Sequence, residues 1–387
     1  MNRKSKWSPP CRLRIVKLVL LLPFVLALAG ILLTLQHRKR PISRHPTEPL
    51  PASPTTSPKR KLRRKPVETD SPKKAVEPVQ KFAYVKTHKT GSTSVWYVMK
   101  LYAMKHRLRV VIPTDGVHLG YPKHLRLSDS RMYRQTHDLG DYDVLIDHCR
   151  YNKAVMDKLI KKPVYITILR DPITRFVSTF YFYGTYRRIA KNQTVGQYLS
   201  HIRAGNDYEK PLEKWAGFNG MAFDLGVNPP YKDKNVKRKI HEIDKTFALV
   251  LIMEYMPESM VLLKRTMGWK LEDVIGIPQN THPDFASKSS TATDRYAAHR
   301  GSETLNDKQK ETLAKLSHAD MKMYRHFNGT FWKRIRSEYR FREEVELYRE
   351  MLEMYLKEME SRGMREQDVR IARKGHRLKY LPSFHFH

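Results

Sequence analysis

The chain has 387 residues and a formal net charge of +34 at pH 7, and only two of its residues are cysteines. The positive charge indicates an anionic partner, such as nucleic acid, a membrane surface, a polyanionic nucleotide or an acidic glycan, although part of it belongs to solvated tails. Two cysteines exclude a disulfide framework and a cysteine zinc site, so the folded part depends on its hydrophobic core.

One uncharged segment, 18–36, is rich in leucine, valine and alanine and approaches the ~20 residues that span a bilayer core. No cleavage site of small residues follows it, and residues 37–40 are basic, so we predict an uncleaved anchor rather than a signal peptide. Basic residues are slightly more numerous before the segment, which favours a cytoplasmic tail at 1–17 and a lumenal remainder. Cys11 and Cys149 then lie on opposite sides of the membrane and cannot pair.

Two further regions differ in composition. Residues 37–80 are dense in proline, serine, threonine, lysine and arginine, which predicts a disordered lumenal stem. Over 81–387 apolar runs alternate with helical patterns, which predicts an α/β domain with a central, mainly parallel sheet flanked by helices. The predicted strands are Phe82–Lys86, Arg109–Ile112, Val144–His148, Val164–Leu169 and Phe247–Met253. The predicted helices are Ser92–His106, Tyr151–Ile160, Ile173–Tyr183, Lys232–Lys245, Glu258–Met267, Asn306–His326 and Glu343–Arg362.

The first predicted strand runs into a turn with a single glycine, Gly91, and then into an amphipathic helix. Glycine lets the backbone approach an anion closely, and the free amides of a helix N-terminus favour negative charge. Lys89 adds a positive charge beside the same turn, which is not a Walker A loop because the lysine precedes the only glycine. The turn thus predicts a phosphate site, with an ordinary capped turn as the alternative. The hydroxyl donors in it are Thr90, Ser92, Thr93 and Ser94.

A second candidate phosphate site follows the predicted strand Val164–Leu169. This strand delivers Arg170 to its carboxyl end, where side chains of parallel sheets meet bound nucleotides. A helix begins near Pro172, and Ser178 lies two turns along it. A planar guanidinium and a hydroxyl suit a phosphate, although the turn Arg170-Asp171-Pro172 could instead be a structural ion pair and helix cap. The two sites together predict a nucleotide with two separate phosphate groups.

At these residues the chain resembles the sulfotransferases that use PAPS (3′-phosphoadenosine 5′-phosphosulfate), and among them the galactose-3-O-sulfotransferases, which include the cerebroside sulfotransferases. The resemblance covers about 81–275. The blocks that carry it are Lys86-Thr87-His88-Lys89-Thr90-Gly91-Ser92, Asp147-His148-Cys149-Arg150-Tyr151-Asn152, Ile166-Thr167-Ile168-Leu169-Arg170-Asp171-Pro172, Glu254-Tyr255 with Glu258-Ser259 and Leu262-Leu263-Lys264, and Trp269-Lys270-Leu271-Glu272-Asp273-Val274.

The resemblance implies a P-loop-like sulfotransferase fold behind one membrane helix, with PAPS as the donor and no metal. It places the 5′-phosphosulfate at 89–93 and the 3′-phosphate at Arg170 and Ser178, which keep the family's eight-residue spacing. Lys86 either supports the same pocket or forms an ion pair.

A general base is expected to take the acceptor proton, and histidine has a suitable pKa. Two histidines compete for this role. His148 resembles the family's base histidine in its interval before Arg170. We favour it slightly over His88, which lies inside the predicted phosphate-binding turn between Lys86 and Ser92, called the phosphate turn below. Lys89 is expected to neutralise charge on the leaving oxygen.

The acceptor implied by the resemblance is a hydroxyl of galactose, the 3-hydroxyl in the first instance, in a glycolipid or a glycoprotein glycan. The anchor and two glycosylation sequons, at Asn192 and Asn328, agree with a single-pass type II protein of the Golgi membrane whose catalytic domain is lumenal. The oligomeric state stays open, and no nucleic-acid motif is present.

Other functions remain open at this point. One is an O-sulfotransferase for the uronic acids or hexosamines of glycosaminoglycans. Another is a metal-dependent Golgi glycosyltransferase, because Asp141-Tyr142-Asp143 has the form of a DxD motif, although it precedes its strand. A third is a basic, membrane-tethered glycan-binding protein without enzymatic activity.

Overall fold

The computed structural model describes residues 77–114, 116, 118–131, 142–183, 193–202, 217–276 and 305–361. The predicted anchor, nearly all of the predicted stem, Asn192 and Asp141 lie outside these residues. Within the described ranges, no helix combines the length and the apolar character needed to cross a bilayer.

In the part of the chain that the structure describes, six strands form two parallel sheets. The strands are β1 (Phe82–Val85), β2 (His118–His124), β3 (Val144–Leu145), β4 (His148–Arg150), β5 (Val164–Leu169) and β6 (Phe247–Ile252). The central sheet has the order β3-β1-β5-β6, and β2 pairs with β4 in a separate sheet. Every pairing between these strands is parallel. Because parallel strands end at one edge, the segments after β1 and β5 are neighbours.

Helices follow most of the strands, and α7 and α9 pack against β6. The helices are α1 (Ser92–Lys105), α2 (Lys153–Leu159), α3 (Pro172–Phe182), α4 (Val195–His201), α5 (Gly220–Asp224), α6 (Asp233–Thr246), α7 (Met256–Met267), α8 (Asp307–Leu316), α9 (His318–Ser337) and α10 (Phe341–Ser361). Single 3-10 turns cover Leu127–Asp129, Met253–Tyr255 and Leu271–Val274.

The core lies on the central sheet. All four residues of β1 are fully buried, and β5 is buried from Tyr165 to Leu169. Strands covered on both faces read as continuous apolar runs, which is why these two were recognisable in the sequence. The predicted mainly parallel α/β fold is therefore confirmed for the described part of the chain.

Two strand predictions were wrong in detail. The segment Arg109–Ile112 forms only one isolated bridge, between Val110 and Val144. The predicted strand Val144–His148 is divided, because β3 ends at Leu145 and His148 begins β4 in the other sheet. We missed β2, because a glycine and a proline interrupt its pattern and both are normally rare inside strands.

The helix predictions are confirmed within two residues at most ends. The exception is Asn306–His326, where the structure has two helices that meet at the buried Ser317, and the second continues to Ser337. The short helices α4 and α5 were missed, because seven and five residues hold too few turns for a periodic signal.

Candidate active site

The turn between β1 and α1 has an unusual backbone. Lys89 and Gly91 both adopt left-handed conformations, with φ of 62° and 68°. A Cβ added to Gly91 would lie 3.0 Å from Cγ of Met253 and 3.1 Å from Cε of Met256. Any other residue at this position would be both strained and crowded, so the turn requires its glycine.

Hydroxyl groups inside the turn hold its shape. The hydroxyl of Thr87 donates to the carbonyl of Ile168 at 2.5 Å, which ties the turn to β5. The hydroxyls of Thr90 and Ser92 lie 3.2 and 2.6 Å from the carbonyl of Thr87 and donate to it. In this conformation, therefore, these two predicted phosphate donors stabilise the turn itself.

The N-terminus of α1 is suited to an anion. No side chain caps it among the described residues, and its first turn contains no acidic residue. Within the described ranges, neither a side-chain cap nor a first-turn carboxylate compensates the positive end of this helix dipole. Thr93, which is partly exposed, and Ser94, which is 9% exposed, lie in this first turn.

Both candidate lysines contact aromatic rings. Lys86 is buried, and its Nζ lies 5.1 Å from the ring centre of Trp96. Trp96 in turn donates from Nε1 to Asp147 at 3.0 Å. Nζ of Lys89 lies 3.5 Å from the ring centre of Phe182, which is 44% exposed. The ammonium of Lys89 is thus placed at the accessible side of the turn.

Arg170 joins the two predicted phosphate sites. It follows β5 directly, and its Nη1 donates to the carbonyl of Lys89 at 3.2 Å. Its Nε donates to the hydroxyl of Thr174 at 3.1 Å. Asp171 caps α3 by accepting from the amide of Thr174 at 2.9 Å. Asp171 therefore caps α3, and the two candidate phosphate sites lie next to each other.

Ser178 lies on the face of α3 that is turned toward the interior. It is 7% exposed and one turn beyond Arg175, so the two side chains share a face. Arg175 is fully buried and donates to the carbonyls of His88 and Gly217 at 3.3 and 2.9 Å. The face that carries Ser178 therefore also contacts the phosphate turn.

Three histidines and a tyrosine form a cluster beside the turn. The rings of His88 and His148 stack with centroids 4.0 Å apart and an interplanar angle of 14°. His118 stacks at 5.9 Å from His88 and 5.3 Å from His148. The ring of Tyr121 lies 4.8 Å from that of His88. We call these four residues the histidine cluster.

The hydrogen bonds of His148 define its tautomer. Its Nδ1 lies 2.9 Å from the carbonyl of Lys86, and a carbonyl can only accept. Nδ1 therefore carries the proton, and Nε2 carries the lone pair that a base needs. His148 is half-buried, whereas His88 is only 3% exposed.

Asp224 holds two residues of the histidine cluster, His88 and Tyr121, through hydrogen bonds. This carboxylate is fully buried and accepts from the amide of His88 at 2.7 Å and from Tyr121 Oη at 2.7 Å. It also lies 3.0 Å from Nδ1 of His88. One carboxylate thus fixes the backbone of the phosphate turn and two aromatic rings.

Burial keeps two histidines of the cluster neutral. It lowers the pKa of His148 well below its ordinary value, and the neighbouring His88 and Lys86 add to the effect. Burial and His88 lower the pKa of His118 to about 4. Both imidazoles are therefore unprotonated near neutral pH, and each ring keeps a lone pair on one nitrogen.

These pKa shifts predict how stability depends on pH. The unfolded chain protonates its histidines near pH ~6.5, whereas the folded chain resists protonation. The unfolded state then binds more protons, so the free energy of unfolding is highest above this pH and falls as the pH drops toward the pKa of about 4 of His118. Urea titrations of wild type and His148→Gln at about pH 7 and about pH 5 measure this. We expect the free energy of unfolding to fall less in the variant than in the wild type between these two pH values. Equal falls would contradict the explanation.

Three residues of this site were missed in the sequence: His118, Tyr121 and Asp224. His118 and Tyr121 lie on the interrupted strand β2 and carry no local signal. Asp224 does carry a local sequence signal, because it is the single acidic residue in the apolar run Met221-Ala222-Phe223-Asp224-Leu225. A carboxylate buried in such a run is stable only when it has a partner.

Other residues of interest have different surroundings. Arg150 is buried and donates to the carbonyls of Phe223 and Val227 at 3.0 and 3.2 Å, which makes it a structural residue. Cys149 is a buried free thiol, whose pKa burial raises. Asn328 is half-buried within α9.

Among the residues that the structure describes, no three His, Cys, Asp or Glu side chains are arranged to hold a metal ion.

Several proteins of similar sequence are named as sulfotransferases. Galactose-3-O-sulfotransferase 2 of Homo sapiens is 30% identical over 280 residues, which are 70% of this chain and 66% of that protein. Galactose-3-O-sulfotransferase 3 of Mus musculus is 30% identical over 65% of this chain and 56% of that protein. Galactosylceramide sulfotransferase of Homo sapiens is 28% identical over 67% of this chain and 58% of that protein. The matched parts span less than two thirds of these relatives' own length.

The family model described as galactose-3-O-sulfotransferase matches residues 9–377. The resemblance thus extends well beyond 81–275, where the sequence blocks had placed it. Since the match covers nearly the whole chain, the chain belongs to the galactose-3-O-sulfotransferase family.

Proposed function

We propose that this chain transfers a sulfuryl group from PAPS to a hydroxyl of galactose, the 3-hydroxyl in the first instance, in glycolipid or glycoprotein glycans. The observation that carries the proposal is the contact between Arg170 and the carbonyl of Lys89, which joins two phosphate-binding elements at one sheet edge. Family membership agrees with it, since the relatives are named for sulfuryl transfer to galactose or galactosylceramide.

The donor fits the polar groups at this edge, as expected for a P-loop-like sulfotransferase fold. The uncapped N-terminus of α1 and the ammonium of Lys89 suit the 5′-phosphosulfate, with Lys86 adding positive charge behind the turn. Arg170 and Ser178 suit the 3′-phosphate, because a planar guanidinium can bind a phosphate with two parallel hydrogen bonds and the hydroxyl shares its helix with the cap at Asp171.

The reaction we propose is an in-line displacement at sulfur. The acceptor oxygen forms the new S–O bond, the bond from sulfur to the bridging phosphate oxygen breaks, and its electron pair stays on adenosine 3′,5′-bisphosphate. His148 accepts the hydroxyl proton at Nε2, because that atom carries a lone pair and the ring is more accessible than that of His88. Lys89 stabilises the charge that develops on the leaving oxygen.

Replacing the two histidines separately tests which of them is the base. We expect His148→Ala to lower kcat by about 10²- to 10⁴-fold, the range for general acid–base catalysis. The affinity for adenosine 3′,5′-bisphosphate should change little, because no histidine is assigned to a phosphate. Single-turnover rates and calorimetric Kd values separate the two effects. If His148→Ala retains near-normal turnover while His88→Ala loses it, His88 is the base.

The activity itself is tested with labelled PAPS and a panel of galactosides. We expect transfer to acceptors with a free galactose 3-hydroxyl, no transfer when that hydroxyl is methylated, and full turnover in EDTA. If transfer occurs only to uronic acid or hexosamine acceptors, the substrate is one of these sugars and not galactose. Failure to bind adenosine 3′,5′-bisphosphate would overturn the proposal and favour a non-enzymatic glycan-binding protein.

The same proposal includes a location. We infer that residues 18–36 anchor the chain in the Golgi membrane, that the stem to residue 80 separates anchor from domain, and that the domain is lumenal. Glycosylation at Asn192 and Asn328 is part of this arrangement. Protease protection in sealed microsomes, together with a mass shift on removal of N-glycans, measures it; a protease-accessible domain would reverse the orientation.

A further inference from the structure

A polar cavity of about 570 Å³ lies on the side of the histidine cluster formed by β2. Its volume falls within the ~300–1,000 Å³ that is typical of small-molecule sites. Its walls come from β2 and from the 3-10 turn Leu127–Asp129 that follows it. The mechanism described above leaves this cavity without a function.

The cavity shares two walls with the reacting centre. His118 and Tyr121 line it, and both rings contact His88, at 5.9 and 4.8 Å between centroids. His118 also stacks on His148 at 5.3 Å. A sugar ring in the cavity would therefore lie one aromatic ring away from the proposed base. Neutral imidazole and phenol rings are surfaces on which the apolar face of a sugar can pack.

The floor of the cavity is held in a defined shape. Asp129 is buried and accepts from the amide of Arg126 at 2.8 Å and from its Nη2 at 3.2 Å. Gly120 has a φ of 66°, and a Cβ there would lie 2.0 Å from Oδ2 of Asp129. Gly120 therefore allows β2 to pass close to this carboxylate. The carboxylate in turn holds Arg126 in place through the two hydrogen bonds.

The mouth of the cavity is cationic. Lys123 and Arg126 contribute two positive charges, Asp129 contributes one negative charge, and His118 is neutral near pH 7 because its pKa is about 4. Lys123 is exposed, and it has no ion pair or hydrogen bond within the described part of the chain. Arg126 uses only part of its guanidinium on Asp129. The cavity therefore offers unused positive charge beside a wall that suits a sugar.

We propose that this cavity is the acceptor subsite and that it takes a galactoside with an anionic group, a carboxylate or a sulfate, on or next to the galactose. The inference rests on the proposed function. Galactose packs against His118 and Tyr121, and the anionic group pairs with Lys123 and Arg126 at the mouth. A cationic rim contributes selectivity and association rate more than total affinity, so acceptors are ranked by their charge.

Charge reversal at Lys123 tests the assignment. The acceptors are N-acetyllactosamine, its form sialylated at galactose O6 and its form sulfated at O6 of N-acetylglucosamine, all of which keep the galactose 3-hydroxyl free. We expect Lys123→Glu to lower the ratio of kcat/KM for anionic over neutral acceptors by about tenfold. In the wild type this ratio should fall with added salt, because the charges at the mouth are exposed to solvent. The matched control is Lys158→Glu, an exposed lysine on α2 outside the cavity, which should keep the wild-type ratio.

Direct binding separates this inference from the proposed function. Calorimetric Kd values for the three acceptors, measured with adenosine 3′,5′-bisphosphate present, should show the same charge ranking and its loss in Lys123→Glu. If the wild type binds them in this order but transfers no sulfuryl group, the proposed function fails and the subsite stands. An unchanged ratio in Lys123→Glu overturns charge selection. A variant that loses nucleotide affinity while its acceptor Kd values stay at wild type overturns the subsite.

Discussion

Replacing Lys89 with alanine is expected to lower kcat for sulfuryl transfer by about 10²- to 10³-fold, the effect of removing one preorganised donor from a developing oxyanion. The ammonium stands at the accessible side of the phosphate turn, over the ring of Phe182. The affinity for adenosine 3′,5′-bisphosphate should fall less than kcat, because Arg170 and the N-terminus of α1 still bind the phosphates and the lost contact acts mainly in the transition state.

Lys162 provides a matched control for this variant. It is also a lysine with a left-handed backbone, with φ of 53°, but it is exposed on the turn before β5. Both substitutions remove an ammonium and retain a Cβ, so neither adds backbone strain. We expect Lys162→Ala to keep wild-type kcat and Kd. If Lys89→Ala also sulfates at the wild-type rate, the phosphate turn is not the catalytic centre.

Asp224→Asn is expected to lower kcat by about 10²-fold or more, because Asp224 holds His88, whose ring stacks on the proposed base His148 and whose backbone belongs to the phosphate turn. The substitution removes charge and nearly keeps shape. Its carbonyl can still accept from the amide of His88, and its amide can donate to Tyr121 Oη, which is able to accept. The variant should therefore fold, with a lower melting temperature, and lose the fixed arrangement of His88.

Asp320→Asn is the matched control for loss of a buried carboxylate. Asp320 is also fully buried, and it bonds to the amides of Met221 and Ala222 in the same helix as Asp224. Burial raises its pKa to about 6, so this carboxyl loses its charge at a lower cost than an ordinary aspartate, and the neutral amide is a mild change. We expect a loss of kcat below tenfold. Equal kcat losses in the two variants would show that α5 has only a structural function.

The position of His148 shows how far local sequence signals reach. The sequence predicted it at the end of a strand, whereas it begins β4, which belongs to the other sheet and starts after Ile146 and Asp147. Its neighbour Arg150 carried the same kind of signal, a polar residue after an apolar run, and proved to be a buried structural residue. A single sequence does not distinguish these two cases, because burial and hydrogen-bond partners come from segments far away in the chain.

The sequence by itself determined the two elements that we propose bind the phosphates. The β1-turn-α1 unit with Lys89 and Gly91, and the β5-α3 unit with Arg170, are contiguous stretches in which strand, turn and helix signals follow one another. Only the tertiary structure brought His118 and Tyr121 from β2, and Asp224 from α5, to His88, which lies 136 residues away from Asp224 along the chain. The physical reason is that parallel pairing of β2 with β4 and burial of α5 decide these contacts, and neither leaves a periodic pattern in segments so short.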